Sequence, residues 1–86
     1  MAHVLRFDHD FDVRTARRIE AMLLAAAPDA AICLDLRGVR QVQDAAVGVV
    51  AEALLQRRAL RVEIRGLSQH QVRLLRYLGL EAVARA

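Results

Sequence analysis

Residues 30–50, AAICLDLRGVRQVQDAAVGVV, decide the fold. AAICLDL, 30–36, is a nearly continuous apolar run that ends in an acid. A run of that length with almost no polar break predicts a strand covered on both faces, as parallel strands are. RGVRQVQ then reads as a loop, and Asp44 stands in front of a run of small apolar residues that continues to about Arg57-Arg58. That run predicts a helix, with Asp44 at its start as the N-cap.

The same alternation extends in both directions. HVLRF, 3–7, predicts a short strand, and DHDFD a turn. From Val13, apolar residues recur at Ala16, Ile19, Leu23 and Ala26–Ala27, with Arg14, Arg17, Arg18 and Glu20 between them. Steps of three and four place this set on one helical face, with Asp12 as N-cap and Pro28-Asp29 as the stop. ALRVEIRGL, 59–67, sets Leu60, Val62 and Ile64 against Arg61, Glu63 and Arg65, a half-buried strand. Ser68 and Gln71 have the spacing of a capping box before a third helix, whose apolar residues are Val72, Leu74, Leu75 and Leu78 and whose end is Gly79. VARA, 83–86, has room for a last short strand.

The expected fold class is α/β, in the order β-α-β-α-β-α with an optional terminal β. Helices pack on a mostly parallel or mixed four-stranded sheet, joined by right-handed crossovers. Eighty-six residues suit a single small domain over 1–86. The only aromatics are Phe7, Phe11 and Tyr77, so the core must be Leu, Val, Ile and Ala.

Composition excludes several functions. The longest apolar stretches, 21–28 and 45–51, fall far short of the roughly 20 residues that span a bilayer. MAHVLRFDHD turns acidic too early for a signal peptide. Cys33 is the single cysteine, which rules out an internal disulfide and reads as a small buried hydrophobe. These features point to the cytoplasm, with no direct membrane insertion. The formal charge of +3 comes entirely from arginines, but they are spread along the chain with no aromatics interleaved, so nucleic acid is not expected.

Catalysis finds little material. Ser68, Thr15 and Cys33 are the only candidate nucleophiles, and capping or burial explains each. His3, His9 and His70 are isolated; the acids around His9 (Asp8, Asp10, Asp12) read as solvated turn and cap residues rather than metal ligands. Asp35 and Asp44 are both expected on the carboxyl edge of the sheet, where open α/β folds keep their sites, but an acid–base pair would need a cleft. No catalytic residue, cofactor or metal is assigned, and an enzyme is not expected.

Leu34 to Val50 resembles a pattern of STAS domains (sulfate transporter and anti-sigma factor antagonist). Those carry a strand ending D-L-S-G-V, a short loop, then D-S-S-G-L-G at a helix start. Asp35, Leu36, Gly38 and Val39 match the first part, and Val47-Gly48 the L-G. LRVEIRGLSQHQVRLLRYLGL, 60–80, looks like the family's next strand, its G-L connection and a helix ending in G-L. The family usually places two strands before the first helix, where one is expected here.

The resemblance implies a non-catalytic regulatory module that binds a protein through the loop and helix face holding Asp35, Gly38, Gln43, Asp44, Ala45, Ala46 and Gly48. Aligned without a gap, Gln43 replaces the family's acid, Asp44 its phosphorylatable Ser, and Ala45 and Ala46 the following Ser and Gly. Shifted by one residue, Asp44 pairs with the acid and Ala45 takes the phosphosite. Neither alignment leaves a hydroxyl for a kinase. Asp44 is then either a helix cap or a fixed charge read by a partner, and the two readings are compatible. The partner implied is an anti-sigma factor or switch kinase with an ATP-binding fold; the alternative is the ATPase of a bacterial lipid-transport ABC complex. An exposed sheet edge also allows a homodimer.

Overall fold

A computed structural model describes residues 3–80 and 83–85. The elements are β1 (His3–Arg6), α1 (Val13–Ala25), β2 (Ala31–Asp35), α2 (Asp44–Gln56), β3 (Arg61–Arg65), α3 (Gln69–Tyr77) and β4 (Ala84–Arg85). The expected order is therefore present, including the short last strand. The strands form one parallel sheet in the order β1-β2-β3-β4, and β4 contributes only two residues. Strands are shorter than their apolar runs, because pairing stops where the chain turns away. HVLRF loses Phe7, and α1 stops at Ala25, before Pro28.

Each connection joins neighbouring parallel strands, and right-handed crossovers of that kind place all three helices on one face of the sheet. Strand alternation then divides the side chains. Ile32, Leu34, Leu36, Val62 and Ile64 face the helices and share one core with Ala16, Ile19 and Leu23 of α1 and Val47, Val50 and Leu54 of α2. Asp35, Arg61, Glu63 and Arg65 occupy the alternate positions and take the opposite face, with Arg6 and Val4 beside them in register. Cys33 lies on that face too and is buried.

Several local signals perform as read. Asp12 accepts a hydrogen bond from the Thr15 amide at 2.9 Å and caps α1. That bond also holds the Asp12 carboxyl below its usual pKa. Ser68 Oγ accepts from the Gln71 amide, and Gln71 Oε1 from the Ser68 amide, completing the capping box of α3. After α3, the Leu80 amide donates to the Leu75 carbonyl at 2.8 Å and the Gly79 amide to Arg76 at 3.0 Å, with Gly79 at φ +78°. This left-handed closure needs no Cβ at Gly79 and stops the helix where the sequence says.

One cap comes from far away in sequence. Arg57, just past α2, donates to the carbonyls of Leu23 (3.1 Å), Leu24 (2.7 Å) and Ala26 (2.7 Å) at the end of α1. Carbonyls at a helix end lack the usual i+4 donor (Leu23 receives only the Ala26 amide, at 3.3 Å), and a cation suits the negative end of the helix dipole. Arg57 thereby ties α1 to α2 at the pole where β2 and β3 begin.

Candidate functional site

The loop between β2 and α2 is clamped from three sides. The Leu36 amide donates to the Arg65 carbonyl at 2.9 Å. The Phe11 amide donates to Gln41 at 2.9 Å, and the Gln43 amide returns a bond to Phe11 at 3.1 Å, making an isolated parallel bridge between Phe11 and Val42. Gly66, at φ +94°, lets its backbone lie against Leu36 and Arg37; a Cβ there would stand 2.7 Å from the Arg37 nitrogen. Gly38 sits against the Phe7 carbonyl. The sequence placed Phe11 in a polar turn, yet it is 1% exposed and anchors this loop. A large aromatic amid DHDFD was the available signal.

Asp44 is not the N-cap of α2. Gln43 holds that position with extended backbone angles, its carbonyl accepting from the Val47 amide, and its side chain makes no capping bond. Asp44 is already helical, so its carboxylate offsets the positive helix terminus but does not satisfy a capping amide. It turns instead toward α3. Oδ1 accepts from Gln71 Nε2 at 3.1 Å, and Oδ2 lies 3.3 Å from His70 Nε2. Gln71 is buried and uses the same Nε2 on the Val42 carbonyl at 2.7 Å. One amide side chain thus joins the loop, the start of α2 and the cap of α3.

Asp35 and Asp44 are not a carboxylate pair. Alternation along β2 sends Asp35 to the face away from the helices, whereas Asp44 lies on the helix side. Asp35 accepts a two-pronged bond from Arg37, Nε and Nη2 each at 2.9 Å, and Arg6 Nε stands 3.6 Å away. The Arg37 guanidinium and amide hold the Asp35 carboxyl far below the ordinary carboxylate range. Asp35 Oδ1 also accepts from the Arg37 amide at 3.1 Å, which fixes the loop's first turn.

Of the other residues singled out, both in the first turn of α2, Ala45 is exposed and Ala46 is fully buried. Gly48 is exposed, and a Cβ on it would meet nothing within 4 Å. Asp44, Val47, Gly48 and Ala51 of α2 form one wall of a groove of about 220 Å³, and Leu74, Leu75, Tyr77 and Leu78 form the other. The apolar positions of α3 divide between two jobs. Leu75 and Gln71 point inward, while Leu74 and Leu78 stay 37% and 44% exposed, and Tyr77 is 92% exposed. Helical periodicity alone had assigned Leu74 and Leu78 to the apolar face. Tyr77 had no assigned role, and its placement on the groove emerges only from the packing of α3 beside α2.

Acids near His9 go separate ways: Asp12 caps α1, and His9 Nδ1 contacts the Asp10 carbonyl. Among the described residues no helix is long and apolar enough to cross a membrane.

Residues 2–85 match the protein family described as "Mlab, STAS domain". No curated protein matches the chain.

Proposed function

Because this chain belongs to the STAS domain family, we propose that it is a non-catalytic regulatory module that binds a protein partner through the α2–α3 groove beside Asp44. One observation carries this reading. Leu74, Tyr77 and Leu78, three of the five large hydrophobic side chains left exposed among the described residues, line a single groove with Asp44 at its rim. Exposed apolar side chains gathered in this way, rather than scattered, mark an interaction surface. The position of Gly48 supports it, since a bare backbone at the groove wall lets a partner approach closely.

Asp44 supplies a permanent charge at this rim. Gln43, Asp44, Ala45 and Ala46 carry no hydroxyl, so binding does not answer to a serine kinase acting at that segment. The partner class is an ATP-binding anti-sigma factor or switch kinase, with the protein acting as a phosphorylation-independent antagonist in the cytoplasm. The same missing hydroxyl favours a second reading, in which the module stays docked on the ATPase of a lipid-transport ABC complex and never needs release.

The test is co-purification from the native host with wild type and with Tyr77→Ala. Tyr77 is almost wholly exposed, so its loss is expected to leave the melting temperature unchanged and abolish capture. An anti-sigma factor in the wild-type eluate selects the first reading, and an ABC ATPase the second. Capture that survives both Tyr77→Ala and Leu78→Glu refutes the groove. Phosphate incorporated at residues 43–46 by a partner kinase refutes phosphorylation independence.

A further inference from the structure

The larger cavity lies at the opposite pole of the sheet, where β2 and β3 begin. It measures about 490 Å³, within the range of small-molecule sites. Leu54, Leu60, Val62 and Leu80 give it aliphatic walls, and Arg58 and Arg61 stand among its lining residues. Arg57 also lines it, but its guanidinium is committed to the carbonyls ending α1. Arg58 and Arg61 form no ion pair with a carboxylate among the described residues. Glu63, the one acid in the lining among the described residues, is ion-paired with Arg65 at 3.1 Å.

The lining chemistry narrows the ligand. Among the described residues it contains no hydroxyl, amide, imidazole or aromatic side chain. A nucleobase or a sugar would find neither a stacking face nor the mixed donors and acceptors that orient such groups. Arginines only donate, and they suit an anion with two acceptor oxygens. Aliphatic walls suit an alkyl chain.

We propose that this cleft binds an aliphatic carboxylate, with the alkyl chain against Leu54, Leu60, Val62 and Leu80 and the carboxylate held by Arg58 and Arg61. The site is independent of the α2–α3 groove and shares none of its residues. Cys33 lines the cleft on the sheet face that also carries Arg61 and is the only cysteine, so it reports occupancy on that side.

Decanoate below its micelle concentration is the probe, and decanol, with the same chain and no charge, is its control. Titration into the labelled full chain, followed by amide resonances, is expected to shift Cys33, Val62 and Leu80 saturably. Decanoate is also expected to slow modification of the Cys33 thiol by a small alkylating reagent. Arg58→Gln with Arg61→Gln, checked for an unchanged melting curve, is expected to weaken decanoate about tenfold or more. If that pair does not fold, Arg58→Gln alone serves, because Arg58 is exposed. The proposal is overturned if decanoate leaves these resonances unmoved or if decanol binds equally well. It is equally overturned if the shifts map to Leu74, Tyr77 and Leu78.

Discussion

Gln71 Nε2 stands 3.1 Å from Asp44 Oδ1 and 2.7 Å from the Val42 carbonyl, while the rest of the Gln71 amide closes the cap of α3 on Ser68. A buried side chain with every polar atom engaged is costly to remove, because its partners lose their bonds without gaining water. Gln71→Ala is expected to destabilise the fold by about 1–3 kcal/mol, measured by urea unfolding. It also removes the Gln71 bond to Asp44 and leaves only the His70 contact, so partner affinity should fall more than with Ser68→Ala, which keeps the Gln71 Nε2 donor.

Asp12 and Asp44 look alike in sequence, each an acid ahead of a helical run, but only Asp12 caps. Asp12→Ala should cost about 1 kcal/mol. Asp44→Ala should cost less, about 0.5 kcal/mol, since it loses an exposed contact and a favourable dipole position rather than a cap. Equal losses in parallel denaturant titrations would contradict the cap assignment.

Arg57 serves three carbonyls at the end of α1. Arg57→Met keeps most of the aliphatic stem and removes the donors. A loss of about 1–2 kcal/mol is expected. Amide hydrogen exchange should show it as faster opening of the last turn of α1, with α3 unaffected.

Gly66 and Gly48 should respond in opposite ways to alanine. At Gly66 the backbone is left-handed and a Cβ would press on Leu36 and Arg37 at 2.7 Å, so Gly66→Ala is expected to cost about 3 kcal/mol. Gly48 is an exposed helical glycine with open space around it, so Gly48→Ala should raise stability by about 0.5–1 kcal/mol. A bulkier Gly48→Leu should keep the fold and weaken partner binding by filling the groove. Thermal melts beside a binding assay separate the two effects.

Asp35 ties stability to acid. Its carboxyl is depressed in the folded chain by Arg37, whereas an unfolded Asp titrates near about 3.9. The folded state therefore binds fewer protons there. The resulting stabilisation is complete above pH ~4 and is lost progressively as pH falls below it toward the folded value. Melting temperatures taken between pH 7 and pH 2 should fall less steeply in that acid window for Asp35→Asn than for wild type.

Most of the fold was legible because hydrophobic periodicity is a local property. A continuous apolar run gave β2, alternation gave β3, and three–four spacing with Asp12 gave α1. The Ser68–Gln71 capping box and Gly79 bracketed α3 from neighbouring residues alone. Strand lengths were overread, since the sequence shows apolar character beyond the point where the partner strand ends.

The site was legible only in outline. Asp35, Gly38, Gln43, Asp44, Ala45, Ala46 and Gly48 do lie along one loop and helix start, but the sequence could not say which way each faces. The alternation of β2 sends Asp35 and Asp44 to opposite sides of the sheet, and Gln71, 27 residues away, claims the carboxylate that local sequence offered as a cap. Phe11, Arg57, Tyr77 and Gly66 act through chain segments distant in sequence. Local patterning determined which elements form and in what order, because propensity, capping and periodicity act within a few residues. Only the tertiary structure decided what Asp44 touches and which apolar side chains stay outside, because both depend on how α3 packs beside α2.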